Sequence, residues 1–149
     1  DLISYSPHIL LGDMHEMPFR DNEFDAVICG WTLSYSTSPG KGASEMMRVT
    51  NPGGVIAIGV EYSHLTPEDE RSLLGYELQE FEKTGGRINS TSQIKRLFGG
   101  NVDSVFFEHD APLRVSHTAQ GLVQNVSNVA VVFRLSSQKE PLLPVMVRE

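Results

Sequence analysis

The fold of this chain is decided by residues 12–31, which read GDMHEMPFRDNEFDAVICGW. From Phe24 to Trp31 the stretch is almost wholly apolar after Asp25, a pattern typical of a strand buried on both faces of a parallel α/β sheet. A shorter apolar run, His8 to Leu11, precedes Gly12 and Asp13 and predicts another strand. The polar residues between the two runs are therefore expected to form a loop at the C-terminal end of the first strand.

Helix and strand patterns alternate through the rest of the chain. The predicted elements are a helix over 42–50 with Ala43, Met46 and Met47 on one side, a strand over 55–60, a helix over 66–85, a short helix opened by the capping box Ser90-x-x-Gln93, and strands over 102–108 and 128–135. The tail, 141–149, is left open as an edge strand or loose chain. This order predicts a three-layer α/β domain with parallel pairing first and an antiparallel hairpin at the C-terminal edge of the sheet.

Composition narrows the classes of function. The chain has 149 residues, which suits a single domain over 1–149, and a net charge of −7 disfavours binding to duplex DNA. One cysteine, Cys29, excludes an internal disulfide, and the histidines show no metal-ligand spacing, so we expect no metal. No apolar run approaches a membrane span and no signal peptide is visible, so we expect a cytoplasmic protein without a membrane partner.

Two blocks of sequence resemble the class I S-adenosylmethionine-dependent methyltransferases. The first is Gly12-Asp13-x-x-x-Met17-Pro18-Phe19-x-Asp21-x-x-Phe24-Asp25-x-Val27, and the second is Glu45-x-x-Arg48-Val49-x-x-Pro52-Gly53-Gly54 before an apolar strand. They stand in the family's order and at about its spacing, over residues 8–60. The resemblance implies a Rossmann-like methyltransferase sheet, S-adenosylmethionine as cofactor, and methyl transfer to an unidentified small-molecule acceptor.

The resemblance also implies site residues. Asp13 would accept a hydrogen bond from the adenine amino group, the backbone of Met14 would meet the ring edge, and Trp31 and Thr32 would lie near the methionine end of the cofactor. A turn residue is the structural alternative for Asp13, and a packed aromatic is the alternative for Trp31. Ligands of open parallel sheets bind beyond the C-terminal ends of the strands, where these residues are expected.

No catalytic residue is assigned, because methyl transfer in this family depends mainly on positioning. Tyr35, Glu61 and His64 could reach an acceptor, and His64 could act as a general base toward a hydroxyl. Each of them could equally be a solvated residue at a strand end.

The glycine-rich loop after the family's first strand and the acidic residue after its second are missing from the sequence. We therefore expect an incomplete domain without the first two strands, inactive by itself, with an apolar unpaired edge beside the strand over 24–31. Such an edge favours a homo-oligomer, or completion by another chain. The residues could instead be part of a longer domain, or the strand at 8–12 could move in beside the strand over 24–31. Two other interpretations remain at this stage: a non-catalytic α/β relic that binds partners or oligomerises, and, on weaker grounds, a nicotinamide-dependent oxidoreductase.

Overall fold

The computed structural model describes residues 6–63, 88–110, 116–117, 123–124 and 126–142. The strands are β1 (Phe24–Gly30), β2 (Thr50–Ser63), β3 (Val102–His109), β4 (Ser116–His117), β5 (Val123–Gln124) and β6 (Val126–Leu135), and the helices are α1 (Pro39–Val49) and α2 (Thr91–Leu97). The predicted helix over 66–85 and most of the predicted tail lie outside the described residues.

A mixed four-stranded sheet organises the chain in the order β1-β2-β6-β3. β1 and β2 are parallel, with Cys29 opposite Ile58, whereas β6 is antiparallel to both β2 and β3. The α/β class, the incomplete sheet and the antiparallel strands at its C-terminal edge are thereby confirmed. A separate two-stranded ladder joins β4 and β5.

One face of the sheet carries the core, because alternate residues of β2 and β6 point to the same side. Its strand residues are Ile56, Ile58, Val60, Val129, Val131, Phe133 and Leu135. The predicted inner face of α1, Ala43, Met46 and Met47, is buried against them, as are Ile94 and Phe98 at α2. α1 and α2 contact each other, so the described helices form one layer on one face of the sheet.

Both helices begin and end where local chemistry favours it. Pro39 occupies the first turn of α1, and the Thr50 hydroxyl donates to Met46 O at 2.6 Å as the helix passes into β2. Ser90 caps α2 by accepting the Gln93 N–H at 3.3 Å. The Gln93 side chain accepts from Asn89 N at 2.6 Å rather than from the cap residue itself, a small departure from the predicted capping box.

Two predictions about the N-terminal strands are wrong. Residues 9–12 have no strand structure, and Leu10 and Leu11 are exposed. β1 is not buried on both faces, since the side chain of Ile28 is 82% exposed. The two errors share a cause: β1 is an edge strand of the described sheet, and an apolar run forms a strand only where a neighbour supplies hydrogen-bond partners.

Candidate functional site

The four residues predicted to bind cofactor lie on two loops. Asp13 and Met14 belong to the loop before β1, and Trp31 and Thr32 follow the C-terminal end of β1. The backbone N–H of Trp31 donates to the backbone carbonyl of Gly59 at 2.7 Å, which continues the pairing of β1 with β2 by one residue. Trp31 itself has φ 55° and is 57% exposed, so its indole is not a packed core residue.

The Asp13 carboxylate is exposed but oriented. Its Oδ1 accepts from His15 N at 2.8 Å and lies 2.7 Å from His15 Nδ1. The hydrogen bond from the His15 backbone holds the pKa of Asp13 below its ordinary value. The side chain is 56% exposed, so an ionised acceptor faces solvent at this position.

His15 connects Asp13 to the loop that precedes α1. Its Nε2 lies 2.7 Å from the hydroxyl of Ser36, whose side chain also accepts from Ser38 N at 3.1 Å. Ser36 is only 2% exposed. The two loops that carry the predicted site are thus joined by side-chain hydrogen bonds.

A cavity of about 340 Å³ runs along the open side of β1. It is lined by Met14, Met17, Phe19, Phe24, Ala26, Val27, Ile28, Cys29, Gly30, Thr32, Met46 and Val49. Met14 and Thr32 therefore share this cavity, whereas Asp13 and Trp31 are next to lining residues without lining it themselves. Among the lining residues Thr32 alone carries a hydroxyl, and that hydroxyl donates to Gly30 O at 3.0 Å.

Glu45 and Arg48 hold the loop that forms one wall of the cavity. Glu45 Oε2 accepts from Met17 N at 2.7 Å, and the Arg48 guanidinium donates to Met17 O at 3.0 Å and to Phe19 O at 2.8 Å. Arg48 also bonds Glu45 Oε1 at 2.7 Å and Asp21 Oδ1 at 2.8 Å. These contacts lower the pKa of Glu45, chiefly through the Arg48 side chain, and raise the pKa of Arg48.

The sequence placed Glu45 and Arg48 within a family landmark and gave them no role. Opposite charges three residues apart on a helix predict a pair with each other. Nothing in that spacing indicates that the pair also binds the backbone of a loop almost thirty residues away.

Lys139 makes a second set of contacts that the sequence did not predict. Its Nζ donates to Asn22 Oδ1 at 2.6 Å, to Met47 O at 2.7 Å and to Thr50 O. It satisfies carbonyls at the C-terminal end of α1, where a cation is favoured by the helix dipole. Desolvation nevertheless lowers the pKa of Lys139.

Of the remaining candidates, Tyr35 is the one whose side chain lies among the described residues. Tyr35 is 56% exposed in the turn after β1. The side chain of Glu61 and all of His64 lie outside the described residues. Burial raises the pKa of the Cys29 thiol, which fits the inert core role predicted for it.

The described part of the chain shows neither a cluster of metal ligands nor a membrane-spanning helix. It holds no group of three or more His, Cys, Asp or Glu arranged to bind a metal ion. None of its helices has the length and apolar character that crossing a bilayer requires.

Residues 3–58 match the family described as a methyltransferase domain. The match covers both blocks that carried the resemblance, together with β1, α1 and the first residues of β2. The resemblance of this chain to the class I S-adenosylmethionine-dependent methyltransferases is thereby confirmed.

Curated relatives match parts of this chain. Over 57 residues it is 44% identical to a demethylmenaquinone methyltransferase of Renibacterium salmoninarum, an overlap of 38% of this chain and 24% of the relative. Over 121 residues it is 43% identical to the biotin biosynthesis bifunctional protein BioHC of Teredinibacter turnerae, covering 80% of this chain and 20% of that protein. In both cases the match spans a quarter or less of the relative.

Solved methyltransferases share the fold. The crystal structure of a SAM-dependent methyltransferase from Methanosarcina mazei aligns with a TM-score of 0.53 and 14% identity, over 85% of this chain and 66% of that one. This alignment extends beyond residues 3–58, so it also includes elements of the second half. The non-catalytic interpretation finds no support in these comparisons.

The residues present suit one end of S-adenosylmethionine. An exposed ionised carboxylate is the acceptor that an exocyclic amine requires, and the methionines at 14 and 17 offer apolar walls to a planar ring. The cavity lining carries no charged side chain to match the ribose hydroxyls or the amino-acid group. The fit is therefore to the adenine end.

Proposed function

We propose that this chain forms the adenine-binding side of an S-adenosylmethionine site and takes part in methyl transfer to a small-molecule acceptor. The proposal rests mainly on the exposure and position of the Asp13 carboxylate. It is exposed and held at Oδ1 by His15, and it lies beside the cavity that Met14 and Thr32 line. The class of acceptor is supported by the names of the demethylmenaquinone methyltransferases that match.

The residues of this chain act mainly by binding and orientation. Asp13 accepts the adenine amino group, and the Met14 backbone meets the ring edge. Trp31 and Thr32, at the end of β1, bound the space where the acceptor approaches. When bound, the cofactor supplies an electrophilic methyl group on a sulfonium sulfur, and alignment with the acceptor governs the rate.

We further propose that residues 1–149 are a single partial methyltransferase domain, either part of a longer domain or completed by a second copy or by another chain. The open side of β1 supports this, because β1 is an edge strand of the described sheet and presents Ile28 beside an apolar cavity. A chain with a net charge of −7 is not expected to bind duplex DNA. A single buried thiol fits a cytoplasmic location.

Replacing Asp13 tests the proposed role directly. Asp13→Ala removes the acceptor, and we expect its affinity for S-adenosylhomocysteine in equilibrium dialysis to fall at least tenfold. Asp103→Ala, an exposed aspartate on β3, is the matched control and leaves affinity unchanged. Equal affinity of Asp13→Ala and the unmodified chain would remove Asp13 from the site.

A further inference from the structure

A chain of hydrogen bonds runs from the start of α1 to the Asp13 carboxylate. Ser38 N–H donates to Ser36 Oγ at 3.1 Å, Ser36 Oγ lies 2.7 Å from His15 Nε2, and His15 Nδ1 lies 2.7 Å from Asp13 Oδ1. A second bond, from His15 N to the same Oδ1, fixes the carboxylate at 2.8 Å.

The two end groups determine which atom donates and which accepts in each of these hydrogen bonds. An ionised carboxylate only accepts, so His15 Nδ1 carries the hydrogen that it donates to Asp13. The Nε2 of a neutral imidazole is then an acceptor, and the Ser36 hydroxyl donates to it while its lone pair accepts from Ser38 N–H. Every polar atom between Ser38 and Asp13 is satisfied in this arrangement.

The order Asp–His–Ser has the connectivity of a hydrolytic triad, but the burial of Ser36 argues against that use. Ser36 is 2% exposed and its oxygen already accepts a backbone N–H. A nucleophile must reach a substrate carbonyl, which this hydroxyl does not. The exposed end of the chain of hydrogen bonds is the carboxylate, at 56% exposure against 19% for the His15 side chain.

We propose that His15 is a positioning residue, which together with Ser36 orients the Asp13 carboxylate so that its other oxygen accepts the amino group of a 6-aminopurine. This inference rests on the proposed function. Both donors from His15 engage Oδ1, and no hydrogen bond from a described residue is recorded at Oδ2. A carboxylate fixed in this way selects an amine over a carbonyl oxygen at the same ring position, because the carbonyl presents a second acceptor.

Two ligands that differ at a single ring position distinguish a positioning role of His15 from a merely structural one. The full chain and its variants are titrated with S-adenosylhomocysteine and with S-inosylhomocysteine, its 6-oxo analogue. We expect the unmodified chain to prefer the amino ligand at least tenfold and His15→Ala to lose most of that preference. Loss of fold stability alone would weaken both ligands alike and leave their ratio unchanged.

Three further variants sharpen the test. His15→Asn keeps a donor near Asp13 and loses the link to Ser36, so its selectivity is expected to lie between those of the unmodified chain and His15→Ala. Ser36→Ala is expected to resemble His15→Asn. His8→Ala is the control and is expected to retain full selectivity, because His8 is exposed and its bond among the described residues runs from its backbone N–H to Ser6 Oγ.

A measurement without ligand keeps the two proposals distinguishable. Nitrogen-15 NMR of the free chain is expected to show His15 as the Nδ1–H tautomer at neutral pH, and Ser36→Ala to reduce that population. Two results would overturn the role of His15 and leave the proposed function intact. One is the Nε2–H tautomer in the free chain. The other is an unchanged ratio of the two ligand affinities in His15→Ala while Asp13→Ala abolishes binding. Failure of the unmodified chain to bind either ligand would overturn both.

Discussion

The Arg48 guanidinium lies 2.7 Å from the Glu45 carboxylate on α1, and the two side chains together hold the backbone of Met17 and Phe19. This contact gives a physical reason for two sequence blocks to occur together. The charged pair in the second block fixes the loop of the first, and that loop forms one wall of the cavity beside β1.

Arg48→Ala is expected to destabilise the chain by about 1–3 kcal/mol, because it leaves two carbonyls and a partly buried carboxylate without their donor. Denaturant unfolding measures the change. Arg20→Ala, an exposed arginine on the same loop, is the control and is expected to stay within about 0.5 kcal/mol of the unmodified chain. Equal stability of the two variants would show that the Arg48 contacts contribute nothing net.

The lowered pKa of Glu45 makes this contact sensitive to acid. The pKa in the folded chain lies below its ordinary value of 4.5, so the ionised carboxylate stabilises the fold above that pH. The contribution is lost as the pH falls through the folded value. We expect Glu45→Gln to be less stable than the unmodified chain at neutral pH, and the difference in stability to disappear as the pH falls below 4.5 and through the lowered pKa of the folded chain. A gap independent of pH would contradict this linkage.

Gly54 lies where a side chain does not fit. A Cβ there would come within 2.8 Å of Asn51 O and 2.9 Å of Asp25 O, whereas one at Gly59 would meet nothing within 4 Å. The preceding Gly53 has φ +75°, which favours glycine as well. Both glycines lie at the irregular start of β2, between Thr50 and Val55, which pair with Phe24 and Ala26 of β1.

We expect Gly54→Ala to lower the unfolding free energy by about 1–3 kcal/mol, through displaced backbone at the first pairing of β1 with β2. Gly59→Ala, in the same strand, is expected to be neutral or slightly stabilising. Thermal unfolding of both variants is the measurement. A similar loss in both would indicate a general cost of alanine in β2 rather than the contact with Asp25.

The open edge of β1 predicts self-association. Ile28 is 82% exposed there, and we expect the chain to scatter light as a species larger than its 16.5 kDa monomer. Ile28→Lys is expected to reduce the measured mass, because a charge on an edge strand opposes pairing. Phe107→Lys, at the opposite edge on β3, is the control. A monomeric unmodified chain would contradict the prediction.

The parts of the fold that depend on local pattern could be predicted from the sequence. The inner face of α1 and the buried face of β6, with Val129, Val131 and Phe133, follow directly from periodicity. The strand expected over 8–11 is not formed, because strand formation depends on a neighbouring strand rather than on the apolar run itself. Arg48 and Lys139 were missed for a related reason: their partners are backbone carbonyls brought close only by the fold.

The candidate site also combines features that could be predicted from the sequence with one that could not. The sequence placed Asp13 and Trp31 on loops at the C-terminal side of apolar runs, and the structure describes both there. The connection from Asp13 through His15 to Ser36 had no sequence signal, since a histidine two residues away and a serine 21 residues further on form no recognised motif.

Calorimetric titration of the full chain with S-adenosylhomocysteine tests the central claim most directly. We expect saturable binding at one site with a Kd below about 1 mM, equivalent to roughly −4 kcal/mol. No heat of binding at millimolar ligand would contradict the proposed cofactor site and leave the chain with the methyltransferase fold alone.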